Sequence, residues 1–565
     1  MRIASLVLAG FALSAVLASV ALAGAPAVPF PSISAEALLA HTRTLSSDEF
    51  EGRAPGTKGE DRTVAYIADQ FKKYGLEPGA ADGSYFQPVP LVGITPDPHT
   101  ELVVAGGQGS TRPPLHFAYK SDVVAWSKRM ADTASLDHSE LVFVGYGVQA
   151  PEYGWDDYKG ADLKGKTLVF LVGDPPVPDP ADPSRLDPRM FGGKAMTYYG
   201  RWTYKYEMAA KMGAAGALII HETGPAGYPF SVVQVNVGEK FDIARPDRNM
   251  GRAAIEGWLS GEAAARLLAG AGTSLDALKQ AALSRGFRPM PLGLYASMTL
   301  HDTIRTIQSR NVIAKLTGSD PAHRDEYVLY SAHWDAFGIG APLDGDPVYH
   351  GAVDNGVAVA GLIEIARAFA ALPVRPRRTL VFLAVTAEEQ LMLGSEYYAA
   401  NPVYPLDRTL ADVNIEMLNV HGRTRDLTVI GLGTSDLDDI ARGAAARQGR
   451  TLKPDPEPER GMYYRSDHFS FARRGVPAFE PDQGDDYVGK PAGYGLEVRK
   501  EFYSRIYHTP ADRVRPDWDL SGGIEDLQLD WMVGYLVAQG AGYPQWKPGA
   551  EFGVPRGPAV PAKRP

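Results

Sequence analysis

The chain has no cysteine among its 565 residues, which removes disulfides, thiolate nucleophiles and thiolate zinc sites from consideration. Any metal site must be built from histidine and carboxylates. A basic surplus is also missing. With 57 Lys and Arg against 67 Asp and Glu, the formal net charge is -10, so no positive footprint for a nucleic-acid partner exists. Beyond the first two dozen residues, no stretch approaches the roughly twenty apolar residues that span a bilayer.

Those first residues are the exception. Arg2 supplies a positive start, Leu6 to Leu22 an apolar run, and Ala21-Leu22-Ala23 a small-x-small cleavage site, the pattern of a secretory signal over residues 1–23. The mature protein is therefore expected in the periplasm or outside the cell. It would carry no membrane anchor, and no cysteine is available for lipid attachment. Hydrophobic residues at 45% and charged residues at 22% describe a folded soluble body, and the length calls for more than one core.

Texture divides that body. Residues 24–100 carry two helical patterns, one starting near Ser34 and one from Gly59 to Tyr74, separated by the turn-rich loop Glu51 to Thr57. Residues 101–285 show short alternating strands and glycine turns, with a helix-to-strand passage across Lys205 to Ile220. Residues 286–545 alternate strand and helix. The predicted strands are Asn311 to Leu316, Tyr327 to Ala332, Thr379 to Thr386, Val413 to Leu418 and Leu427 to Ile430; the predicted helices are Val357 to Ala371, Gln390 to Ala399 and Ser435 to Gln448. This is an α/β pattern, a mostly parallel sheet sandwiched by helices, with ligands expected beyond the carboxyl ends of the strands. A Pro-rich, irregular tail occupies 546–565.

The chemistry-bearing residues fall at those strand ends. His333-Trp334-Asp335 follows the second predicted strand, Asp354-Asn355 opens a helix, and Glu388-Glu389 ends an apolar strand. Asn414-Ile415-Glu416-Met417 puts a carboxylate within a predicted strand, and Tyr507-His508-Thr509-Pro510 with Asp512 adds a distant imidazole. Carboxylates beside such apolar runs are costly unless a cation or metal compensates them.

This order of motifs resembles the co-catalytic zinc aminopeptidases, a family that also contains glutamate carboxypeptidase and transferrin-receptor-like proteins. Arg53 to Glu60 and Asn311 to Ala314 resemble further stretches of that family, and 101–285 looks like its inserted β-rich protease-associated domain. The resemblance implies two zinc ions per chain. Asp354 would bridge them, with His333 and Glu416 completing one metal and Glu389 and His508 the other. It also implies Glu388 as general base, Tyr507 as donor to the oxyanion and Asp335 as acceptor for the second ring N–H of His333. A cis peptide at Asp354-Asn355 is implied too. In the loop Tyr463 to His468, Arg465 would steer a carbonyl or carboxylate and Tyr464 would pack on a substrate side chain, while His350 and His468 would support the site without binding metal. Glu416 departs from the pattern, since the family more often has Asp there.

The implied activity is hydrolysis of N-terminal residues from peptide substrates. Three alternatives remain: a carboxypeptidase of the glutamate carboxypeptidase type, kept open by Arg465; a single-zinc acyl transferase resembling glutaminyl cyclase; and a non-catalytic binding module. The retention of every ligand position argues against the last. Oligomeric state is left open.

Overall fold

The computed structural model describes residues 28–235 and 238–554, so the expected signal segment 1–23 lies outside the described residues. Among them, no helix is long and apolar enough to cross a membrane.

The entry into the fold is set by two capped helices. Ser34 accepts the Ala37 amide to start α1 (Ala35–Leu45), and Thr57 accepts the Glu60 amide to start α2 (Lys58–Lys73). Each cap satisfies a donor that the first helical turn leaves free. Glu60 reaches back to accept the Gly56 amide, one residue before the cap.

A mixed sheet forms the larger half. Its strands are β1 (Phe86–Pro96), β2 (Lys240–Ile243), β3 (Met290–Leu316), β4 (Tyr327–His333), β5 (Thr379–Val385), β6 (Thr409–Asn414), β7 (Asp426–Ile430), β8 (Thr451–Pro454) and β9 (Ala478–Asp482). Hydrogen bonding orders them β2-β1-β3-β5-β4-β6-β9-β7-β8. The centre, β5-β4-β6-β9, is parallel. Every residue of β5 and all but Tyr327 of β4 are buried, as expected where helices cover both faces. One face carries α1, α2, α3 (Val357–Ala370), α5 (Leu437–Arg447) and the 19-residue α6 (Ser521–Gln539), packed into a single apolar core. The other carries α4 (Leu393–Ala400).

A second, β-rich sheet has its own cores. Strands 167–171, 216–220 and 255–259 run parallel, and 123–126 and 133–143 flank them. The 27-residue β3 belongs to both sheets: its first half pairs with 133–143 and 101–106, its second half with β1 and β5. One continuous strand therefore fixes the two sheets to each other.

Several details differ from the sequence expectations. β6 covers Thr409–Asn414 instead of Val413 to Leu418, so Glu416 stands in the loop beyond the strand rather than inside it. Ile415 and Leu418 misled because they are buried from a loop, not a strand. α6 shows no one-sided periodicity, because its apolar residues are buried on most of its sides. The start of the tail is irregular but packed: the Trp546 indole N–H donates to the Gly475 carbonyl, and Glu551 accepts the Tyr464 hydroxyl.

Candidate metal centre

β4 delivers His333 at its carboxyl end, with the imidazole wholly buried. Its Nε2 stands 3.2 Å from Asp354 Oδ1 and 3.3 Å from Glu416 Oε1. A second group forms around His508, whose Nε2 is 3.2 Å from Asp354 Oδ2 and 3.1 Å from Glu389 Oε2. Asp354 thus turns one oxygen to each group. Glu388 belongs to neither, yet its Oε2 lies 4.0 Å from His333 Nε2.

The loops holding these groups are tied together by hydrogen bonds. Asp512 accepts the amides of Val353 and Asp354, both at 2.9 Å. Asn355, joined to Asp354 by a cis peptide, accepts the Met417 amide at 3.0 Å and donates to the Ile415 carbonyl at 3.3 Å. Those two bonds bracket Glu416, whose Oε2 also accepts from Ser466.

Asp335 works differently from the expectation. Its carboxylate stands 3.6 Å from His333 Nδ1, too far for a hydrogen bond, and the nearer acceptor for that nitrogen is the Asp335 carbonyl at 3.2 Å. The carboxylate instead accepts the amides of Glu388 at 3.0 Å and Glu389 at 3.3 Å. It holds the loop that carries the candidate base.

The remaining expected residues separate into those at the cleft and those away from it. Tyr507 stacks on the His508 ring with centroids 3.6 Å apart. Arg465 lies among Tyr507, Tyr503 and Glu388, the groups that raise its pKa against the burial that would lower it. Tyr464 does not face the cleft. Its ring is buried against Tyr198 and Phe469, and its hydroxyl donates to Glu551 at 2.6 Å, because the 461–465 turn points it at the β-rich half and the tail. His350 is engaged by the Ser46 carbonyl and Asp346, and the buried His468 contacts Glu480.

Electrostatically the site is short of positive charge. Burial, with Asp467, Glu416 and Glu389 nearby, pushes Glu388 well above the usual carboxylate range. Burial also lifts Glu389 to about 7. Burial alone would lower His508, but Glu389 and Asp354 raise it to about 9. Burial alone would raise Asp354, but the two imidazoles hold it below its usual value.

The sequence alone reads the Glu51 to Thr57 loop as turn punctuation and Arg53 to Glu60 as a family-like stretch, and gives Arg53 no role of its own. This buried guanidinium donates to the carbonyls of Trp334, Leu45, His350 and Gly351 at 2.7–2.8 Å. It pins the two loops that bear Asp335 and Asp354. The available signal was a lone arginine between turn formers directly after an apolar helix.

The donor set fits zinc. Each group offers imidazole nitrogen and carboxylate oxygen with ligand atoms within 4.8 Å of one another, which is the chemistry zinc accepts. Glu389 Oε1 is buried without a hydrogen-bond partner, an acceptor that a cation would satisfy.

Residues 311–532 match the model for Peptidase family M28, and that span contains both groups. Over those residues the chain is similar to peptidase family M28. It is also 31% identical over 160 residues to Aminopeptidase NAALADL1 of Mus musculus, covering 26% of this chain and 20% of that protein. It is 29% identical over 153 residues to the Probable glutamate carboxypeptidase AMP1 of Arabidopsis thaliana, covering 26% of this chain and 20% of that protein. The match thus spans about a fifth of the length of these curated relatives. Among solved structures, the aminopeptidase from Aneurinibacillus sp. strain AM-1 aligns over 90% of this chain and 94% of its own, with a TM-score of 0.50 at 19% identity, a likeness of fold.

Proposed function

We propose that the protein is an exported, zinc-dependent aminopeptidase that removes N-terminal residues from peptides with two zinc ions at one centre. The observation that carries this reading is the division of Asp354 between two His–carboxylate groups, with Glu388 left unligated beside them. Five donor residues are more than a single-zinc acyl transferase needs, and a binding module has no use for the spare carboxylate. The names of the matched relatives support the peptidase class, and the secretory pattern at the N-terminus supports export. The β-rich half is proposed to be an inserted protease-associated domain that limits peptide length.

Bound zinc would be held by His333, Asp354 and Glu416 on one side and by Asp354, Glu389 and His508 on the other, supplying Lewis acidity toward the scissile carbonyl and a more acidic water. The chain's own groups do the rest. Glu388 accepts the proton of the attacking water and passes it to the leaving nitrogen, its carboxylate standing beside both groups without belonging to either. Asp335 holds Glu388 in place through its amide. The Tyr507 hydroxyl, beside His508, donates to the oxygen on which negative charge develops.

The test is release of free amino acid from unblocked and N-acetylated peptides by the mature protein, before and after chelation and zinc add-back. Cleavage of unblocked peptides alone, lost on chelation and restored by two zinc per chain, is expected. Equal cleavage of the blocked peptide from its C-terminal end would replace this reading with the carboxypeptidase one.

A further inference from the structure

Behind Glu416 a line of polar side chains crosses the centre of the sheet, where parallel strands covered on both faces normally carry apolar residues. Asp412 and Asn414 alternate onto one face of β6, and the parallel register sets Ser331 of β4 directly beside Asn414. All three are wholly buried, and Ser466, in the loop beyond the metal centre, is buried as well. Polar groups in such a place cost free energy unless each finds a partner.

Their partners are one another. The Ser331 hydroxyl lies 2.9 Å from Asp412 Oδ1 and 2.8 Å from Asn414 Oδ1. Asn414 Nδ2 donates to Ser466 Oγ at 2.8 Å, and Ser466 Oγ donates to Glu416 Oε2 at 2.9 Å. The other oxygen of Glu416, Oε1, is the one turned to His333 Nε2. Glu389, the carboxylate of the second metal group, has no such support, since its Oε1 is buried without a hydrogen-bond partner.

Counting hydrogens gives the line a direction. Four contacts need four hydrogens; each of the two hydroxyls has one and the amide turns one into the line, which leaves the line one short. Turning the amide over exchanges its donor and acceptor without changing that count. The missing hydrogen therefore sits on one of the two end carboxyls. Glu416 faces the His333 imidazole and the proposed metal. Among the described residues no cation pairs with Asp412, and its Oδ2 is buried without a hydrogen-bond partner. Burial lifts the Asp412 carboxyl well above the usual range despite the Ser331 hydroxyl, and Asp467 adds to the rise. The proton belongs on Asp412.

We propose that Asp412 is a neutral carboxylic acid at the head of a one-way chain of hydrogen bonds, Asp412 to Ser331 to Asn414 to Ser466, whose last hydroxyl holds Glu416 Oε2 and leaves Oε1 for the metal. This rests on the metal reading of the His333, Asp354 and Glu416 group and adds the residues that set it. They are positioning residues, acting through Glu416 rather than on the substrate.

The experiment has two arms. Infrared difference spectra of the wild type against Asp412→Asn, taken near neutral pH with and without zinc, should contain the carbonyl stretch of a protonated carboxyl. Zinc affinity, measured by competition with a chelating dye, reads the effect on the ligand. Ser466→Ala should weaken one of the two zinc-binding steps by roughly 10- to 100-fold, the usual effect of removing a group that orients a metal ligand. Ser331→Ala, whose hydroxyl contacts only Asp412 and Asn414, should weaken the same step by a smaller factor. Asp412→Asn should bind zinc as the wild type does, because its amide donates where the acid donated.

Absence of the carboxyl band, or an unchanged zinc affinity in Ser466→Ala, would overturn the proposal. Weakened zinc binding in Asp412→Asn would do so too, since Asp412 would then act as a charge. If the wild type binds no zinc while the carboxyl band is present, the metal reading has failed and the direction of the chain has not.

Discussion

The two halves of the molecule treat buried charge in opposite ways. In the β-rich half several of the buried charges are satisfied in place. Lys205 donates to the carbonyls of Tyr146, Gly173 and Tyr199, and Asp157 accepts the Val148 amide and the Trp155 indole. Asp242, in the same stretch of sequence, pairs with Arg245 and Arg252. In the peptidase half Asp354, Glu388, Glu389 and Glu416 crowd two imidazoles, and the Arg53 guanidinium beside them spends its hydrogen bonds on carbonyls. Charge closed by the protein holds structure together, whereas charge left in surplus marks where something else must bind.

The largest effect follows from removing a surplus charge. Glu388→Gln should lower kcat by about 10²–10⁴-fold, the usual contribution of a positioned general base. Its metal-free form should be no less stable than the wild type, because one of several repelling buried carboxylates has been neutralised. Steady-state kinetics and thermal melting of the metal-free protein read the two effects separately. A strong loss of stability with little loss of rate would show Glu388 to be a closed charge and break the contrast.

Arg53→Met is the converse within the peptidase half. Four carbonyls would lose their donor, at a cost of about 4 kcal/mol in unfolding free energy. Activity should fall as well, because the loops carrying Asp335 and Asp354 lose their common anchor. Chemical denaturation and zinc stoichiometry would report this. Asp242→Asn should come next, at about 3 kcal/mol, since it leaves two guanidiniums with a neutral partner. Because Asp242 lies outside the cleft, kcat/KM should remain within about twofold of the wild type at temperatures where the variant is folded.

How much of this the sequence discloses depends on how local the signal is. The central strands are legible because their apolar runs are unbroken, and His333, Asp354 and Glu389 follow them at the strand ends where an α/β sheet binds ligands. The gathering of Glu416 and His508 into the same centre came from the order of motifs, since no periodicity reports contact between residues so far apart. The end of β6 was misplaced because an apolar buried loop and a strand have the same composition. Arg53 was out of reach for a related reason: three of its four partners lie 281, 297 and 298 residues away. The turning of Tyr464 toward Glu551 likewise depends on a tail contact that the 461–465 turn does not encode by itself.

A smaller, pH-dependent effect sharpens the contrast from the β-rich side. Burial pushes the Asp157 carboxyl up to about 6, despite the Val148 amide and the Trp155 indole that favour its ionised form. The folded protein therefore binds this proton more tightly than the unfolded chain, whose carboxyl titrates near 4. The stability from this group is fully present below about pH 4 and is lost as pH rises through about 6, by at most about 3 kcal/mol. Asp157→Asn cannot titrate. It should lose one of the two hydrogen bonds at every pH, and the difference in unfolding free energy between wild type and variant should shrink from pH 4 to pH 7. Urea denaturation of both proteins across that range measures the difference directly. A difference that does not change with pH would mean that burial leaves the Asp157 carboxyl unshifted, and Asp157 would then show no residual cost of burial.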